Sequence, residues 1–121
     1  MIKLVFCLKR RPEMTREEFQ SYWYDKHAPL VRSHAEVLGI RRYVQVHTVS
    51  HPLNAAIQAS RGAPAEYDGV AELWFDSLDA MAANRSPEAG AAGAALLEDE
   101  GKFIDLANSP LWFGEERPVV G

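Results

Sequence analysis

Cysteine is almost missing from this 121-residue chain. The lone Cys7 excludes an internal disulfide and fits a reducing compartment. Long apolar runs are missing as well. The longest strongly apolar stretch, Leu4 to Leu8, is far too short to cross a membrane. Positive charge is not in excess. Thirteen Lys and Arg stand against 17 Asp and Glu, a net charge of −4. No broad basic surface is left to neutralise phosphates, so no nucleic-acid partner is expected. The stretch Met1 to Phe6 lacks the charged start, long apolar centre and small-residue cleavage site of a signal peptide. A cytoplasmic protein with no membrane partner is the expectation. The nucleotide and metal fingerprints GxGxxG, GxxxxGK[ST], CxxC and HExxH are all absent.

What is present is a normal globular mixture, 47% apolar and 25% charged, of a length that suits one domain over residues 1–121. Ile2 to Leu8 concentrates Ile, Val and Phe and reads as a strand. Thr15 with Glu18 has the spacing of a capping box, so a helix starts at Arg16. With about 100° per residue, Phe19, Trp23, His27, Leu30, His34 and Val37 share an arc of about 80°. Pro29 removes a helical hydrogen bond and crowds the carbonyl of Asp25, which predicts a kink or break close to His27. Gly39 ends the helix. Ile40 to Val49 reads as a second strand, with Val44 and Val46 on one side and Tyr43, Gln45 and His47 on the other. Residues 50–66 read as a long loop with a short helical turn near Leu53 to Ser60. Asp68 to Phe75 is a third strand, with Ala71, Leu73 and Phe75 apolar on one face. Ser77 caps a further helix that restarts at Pro87. Glu98-Asp99-Glu100 reads as a solvated helix end. Leu111 to Phe113 is the last strand.

The order β-α-β-β-α-β is the ferredoxin-like arrangement: a four-stranded antiparallel sheet with helices on one face, in the α+β class. The uncovered face is then expected to carry Tyr43, His47, Val70, Glu72 and Trp74 with one side of the first strand. That set is too apolar for water and too polar for an ordinary core. A two-fold homodimer stacking two such faces resolves the conflict and encloses an apolar barrel with a few polar groups inside.

Among residues with chemistry, His27 leads, because a half-buried histidine beside a disturbed turn can act as acid or base near neutrality. His34 reads as a packing or helix-end histidine. It lies about 10 Å along the axis from His27, too far for one metal ion to bind both. His47 sits on the sheet with Tyr43. Glu72, a carboxylate in mid-strand, is either a desolvated acid or base or half of a salt bridge with an arginine such as Arg42. Cys7 reads as a buried inert thiol. At most two of Tyr22, Trp23 and Tyr24 face inward. No metal site is signalled.

The run from Phe19 to Val31, with Tyr22-Trp23-Tyr24-Asp25-Lys26-His27-Ala28-Pro29-Leu30 at its centre, closely resembles the first-helix motif of the EthD-like family of dimeric α+β barrels. Arg42 to His47 and Tyr67 to Phe75 are similar to its second- and third-strand motifs. The resemblance implies a ferredoxin-like protomer and a barrel homodimer. Relatives of the family include lactone isomerases, polyketide cyclases, dehydratases and cofactor-free oxygenases, which share small cyclic or aromatic substrates and often no cofactor. It therefore implies a cofactor-independent enzyme of isomerase, cyclase, dehydratase, lyase or monooxygenase-like type, acting on a small organic catabolite. His27 would move the proton and His47 or Glu72 would complement it. Tyr22, Trp23, Tyr43, Asp68 and Trp74 would shape the pocket. A non-catalytic binding protein of a catabolic pathway and a haem-holding barrel are the alternatives.

Overall fold

The computed structural model describes all residues, 1–121. Four strands form it: β1 (Ile2–Leu8), β2 (Arg42–His47), β3 (Gly69–Phe75) and β4 (Leu111–Gly114). They lie in one antiparallel sheet of order β2-β3-β1-β4, the expected ferredoxin-like topology. The helices are α1 (Arg16–Tyr22), α2 (Ala28–Leu38), α3 (Pro52–Ala59), α4 (Leu78–Ala83) and α5 (Pro87–Glu100). α3 lies in the stretch read as a loop, its first turn capped by the His51 side chain. No helix is long and apolar enough to cross a membrane.

The Thr15–Glu18 capping box forms as its spacing dictates. The Thr15 hydroxyl accepts from the Glu18 backbone N–H at 3.1 Å, and Glu18 accepts from the Thr15 N–H at 2.9 Å. The break expected near His27 takes the form of one π-helical turn, Trp23–His27, between α1 and α2. Ala28 N–H bonds back to the Trp23 carbonyl, five residues away, and Pro29 then sits in the first turn of α2, where its missing N–H is harmless. The wide turn carries one residue more than an α turn. The buried stripe slips accordingly. Phe19, Trp23 and His27 are buried as expected, but beyond them Val31 is buried where Leu30 led the predicted arc, and Ala35 and Leu38 pack on the core instead of His34 and Val37.

The register places side chains without ambiguity, because paired residues share a face. Val5 lies opposite Glu72 and Val44 opposite Glu72 on its other side, so Val5, Val44 and Glu72 share the open face with Lys3, Arg42, Val70 and Trp74. Tyr43 lies opposite Leu73, and His47 opposite Gly69, on the face that α1, α2 and α5 cover. Tyr43 and His47 are therefore under the helices and not on the open face. The alternation within β2 was legible; the side on which each half falls is reversed. The core under the helices centres on Phe19, Trp23, Phe103 and Leu8, all at most 1% exposed. Gly69 makes room for it: a Cβ there would stand 2.4 Å from Trp23 Cζ3.

Candidate functional site

The helices and the sheet enclose a cavity of about 100 Å³. Its walls are mostly aliphatic, with Leu4, Phe6 and Leu8 of β1 beneath and Trp23 and Val31 above. Three polar residues also reach it: His27, Tyr43 and Glu100. Leu111 of β4 lines it too and is 54% exposed, so the cavity reaches the surface beside β4. The chamber that His27 reaches thus lies between helices and sheet, not between two stacked sheets.

His27 is 5% exposed, and its ring packs on Phe103 at 5.0 Å between centroids. Its Nδ1 stands 2.7 Å from Asp99 Oδ2 near the end of α5. The Tyr22 hydroxyl donates to the other Asp99 oxygen at 2.6 Å, and Lys102 Nζ lies 3.6 Å from it. Burial pushes the Asp99 carboxyl up, but the bonds from Tyr22 and His27, with the Lys102 charge, outweigh it and hold Asp99 below its ordinary value. Asp99 is therefore a carboxylate, and a carboxylate only accepts. Nδ1 of His27 carries the proton and Nε2 the lone pair. Burial pushes His27 below its ordinary value, against the pull of Asp99. The imidazole is neutral at pH 7 and its Nε2, with no protein partner, is free for a ligand. Burial, then the same Asp99 bond, drives the Tyr22 phenol up to about 12.

Glu100 is the second titratable group on the cavity. Burial, then the neighbouring Asp99 charge, push its carboxyl up to about 7. It has no salt bridge to hold it ionised. A carboxyl in that state gives or takes a proton near neutrality.

Several residues singled out in the sequence lie elsewhere. His47 stacks on Trp23 at 4.5 Å between ring centroids, and its Nε2 is 2.7 Å from Gln45 Oε1. It faces a surface cleft beside Tyr24 and Asp25 instead of the cavity, and burial lowers its pKa. Glu72 is on the opposite face of the sheet from His27, ion-paired with Lys3 and not with Arg42. It cannot complement His27 within this chain. Trp74 lies on that same open face between Lys3 and Arg42, at 4.8 and 4.6 Å from its ring, and its indole N–H bonds Glu116. Asp68 is 4% exposed but holds the chain together: it accepts from the Arg10 backbone N–H at 2.8 Å and from the Arg10 and Arg16 guanidiniums at 3.0 Å. Of the triplet, Tyr22 and Trp23 turn inward and Tyr24 is 65% exposed, as the helical spacing required. Cys7 is half-buried on the open face, with burial raising its pKa.

Asp99 and Glu100 were hidden in what reads as a solvated acidic helix end. The signal that finds them is periodicity. The buried stripe of α5 runs Ala89, Ala92, Leu96 and on to Phe103, and Asp99 and Glu100 occupy the step between Leu96 and Phe103. No group of three or more His, Cys, Asp and Glu side chains is placed to hold a metal ion.

Comparison with known proteins fits this architecture. No curated protein matches the chain. An EthD-family protein from Bacillus halodurans is 25% identical, with 97% of this chain and 99% of that one aligned at a TM-score of 0.61. An EthD-like protein from Ralstonia eutropha is 19% identical over 94% of this chain and 90% of that one, at 0.60. A dimeric protein of unknown function with a ferredoxin-like fold from Bacteroides fragilis is 14% identical over 95% of both chains, at 0.58. The EthD domain model matches residues 11–107, from the turn between β1 and α1 to beyond the Asp99–Glu100 pair, and the chain belongs to the EthD family.

Proposed function

We propose that the protein is a cofactor-independent enzyme that moves protons on a small, mostly apolar molecule held between helices and sheet. One observation carries the reading: a neutral imidazole anchored by a buried carboxylate and a carboxyl group with a pKa of about 7 line the same cavity. His27 Nε2 accepts a proton from the substrate, and Asp99 and its Tyr22 bond stabilise the imidazolium that forms. Glu100, about half protonated at neutral pH, gives a proton to a second atom of the substrate. Removal at one atom and delivery at another is an isomerisation, or an elimination when the second atom is an oxygen that leaves, once protonated, as water or an alcohol. His27 then returns its proton through solvent to Glu100, and no co-reactant is consumed.

The volume limits the substrate. About 100 Å³ lies below the roughly 150 Å³ of an apolar cavity that takes up benzene. The reacting end of a one-ring molecule enters, and the rest lies toward Leu111. A haem-sized macrocycle does not fit. The homodimer remains part of the proposal. The open face of the sheet presents Cys7, Val70 and Val46 in one cross-strand row with Val5 and Val44 flanking Glu72 in the next, and Val46 and Trp112 there are 46% and 50% exposed, the kind of patch a second copy covers. The dimeric Bacteroides fragilis neighbour supports it.

The test is proton exchange at carbon. Cyclopentanone, cyclopent-2-enone and γ-butyrolactone are incubated with the protein in D2O, and loss of their α-proton signals is followed by NMR. The wild type speeds exchange of at least one of them, and His27→Asn loses about 100-fold or more of the acceleration. Asp99→Asn slows it too and moves the acidic limb of the pH profile lower, because Asp99 raises the His27 pKa. Exchange that matches buffer in the wild type, or survives His27→Asn, overturns the reading.

A further inference from the structure

Tyr43 is the one cavity-lining residue with a strong hydrogen-bond donor that the proton-transfer reading leaves unused. Its surroundings decide what it can do. Gln45, two residues on and on the same face of β2, donates one amide hydrogen to the Trp23 carbonyl at 3.0 Å and the other to the Tyr43 oxygen at 2.9 Å. Its own Oε1 receives the His47 ring nitrogen at 2.7 Å. The amide is thus fixed in one orientation, with Nε2 toward Tyr43. The Tyr43 oxygen accepts from Gln45. The phenolic hydrogen has no acceptor in the protein. Burial above all keeps the phenol protonated, with the Glu100 charge acting in the same sense. Tyr43 and Glu100 both line the cavity. Beside them, Ala71 is the small residue that leaves the space open.

We propose that the Tyr43 hydroxyl is the donor that receives an oxygen of the substrate, and that the molecule taken up is a small ring bearing a carbonyl or enol oxygen. A hydrogen bond accepted from a buried donor is strengthened when charge builds on that oxygen, as it does when a neighbouring carbon loses its proton. Tyr43 then acts as the electrophile opposite the base His27, and Gln45 is its positioning residue. A plain hydrocarbon of the same shape leaves the Tyr43 donor unpaired on binding and is taken up less well. The inference rests on the reading that this cavity holds the substrate, but not on any proton moving there.

The experiment is equilibrium binding without turnover, using cyclopentanone and cyclopentane as matched probes. Wild type prefers the ketone; Tyr43→Phe weakens ketone binding about tenfold and leaves cyclopentane unchanged or slightly tighter. Cyclopentane binding doubles as proof that the variant is folded. Should Tyr43→Phe fail to fold, the carbonyl resonance of bound 13C-labelled cyclopentanone in the wild type reads the same contact. It moves from its hydrocarbon-solvent position to that of a hydrogen-bonded ketone. Equal affinity of wild type for the two probes, an unchanged ketone preference in Tyr43→Phe, or a bound carbonyl at its hydrocarbon position overturns the proposal. Ketone preference that persists while His27→Asn leaves exchange untouched refutes the proton-transfer reading alone.

Discussion

Replacing Glu100 by Gln should make the protein more stable, and only above a definite pH. The carboxyl is pushed from an ordinary value of 4.5 up to about 7 by burial and by Asp99. Below pH 4.5 the folded and unfolded chains both carry the proton, and the group costs nothing. Between about 4.5 and 7 the unfolded chain ionises while the folded one keeps its proton, so stability falls as pH rises. Above about 7 the whole cost remains. At roughly 1.4 kcal/mol per tenfold change in proton affinity, the upper limit is about 3 kcal/mol. Gln keeps the shape and does not titrate. At pH 8 the variant gains up to about 3 kcal/mol, or roughly 10 °C in Tm for a chain of this length. At pH 4.5 the two proteins coincide. Urea unfolding followed by fluorescence of the three tryptophans, at one protein concentration and a series of pH values, measures the difference. All other carboxylates are common to both proteins and, apart from Asp99, whose charge is coupled to Glu100, cancel. A stability gain independent of pH, or a loss at pH 8, refutes the reasoning. The same variant should lose proton transfer, since the strain it relieves belongs to the site.

Two further outcomes follow from the packing and the open face. Gly69→Ala puts a Cβ 2.4 Å from Trp23 Cζ3, an overlap that costs about 1–3 kcal/mol and lowers Tm by roughly 4–10 °C in calorimetry; an unchanged Tm would show that Trp23 has somewhere else to go. In sedimentation at micromolar concentration the wild type should run at twice its 13.5 kDa, and Val70→Glu, which plants a charge on the open sheet face, should run as a monomer; a monomeric wild type removes the dimer from the proposal.

What the sequence discloses depends on how local the physics is. The capping box at Thr15 and Glu18 was legible because both hydrogen bonds close within four residues. The strand order followed from the run of elements, since few topologies are open to β-α-β-β-α-β. The facing of β2 was not legible. Tyr43, Gln45 and His47 are more polar than Val44 and Val46, and polarity alone sends them outward. They point inward because they form a bonded chain over Trp23, an arrangement visible only once α1 is laid on the sheet. Asp99 and Glu100 were obscured for a related reason. A run of acids at a helix end is ordinarily solvated, and their burial arises from Phe103 and His27 packing over them, not from their own composition. Glu72 looked like a desolvated acid in mid-strand, and Lys3 from the adjacent strand β1 supplies the counter-ion that no local pattern could reveal.

The π turn at Trp23–His27 has a consequence for how this scaffold can be altered. It works like a vernier between two gear wheels: the first helix meshes with the sheet, the second meshes with α5, and a single surplus residue lets both mesh at once. Substitutions leave that gearing intact. Deleting one residue from Tyr24, Asp25 or Lys26, all exposed and outwardly dispensable, would heal the helix into one uniform rod. It would then have to disengage at one end, either drawing Trp23 off Gly69 or swinging the imidazole of His27 off its carboxylate.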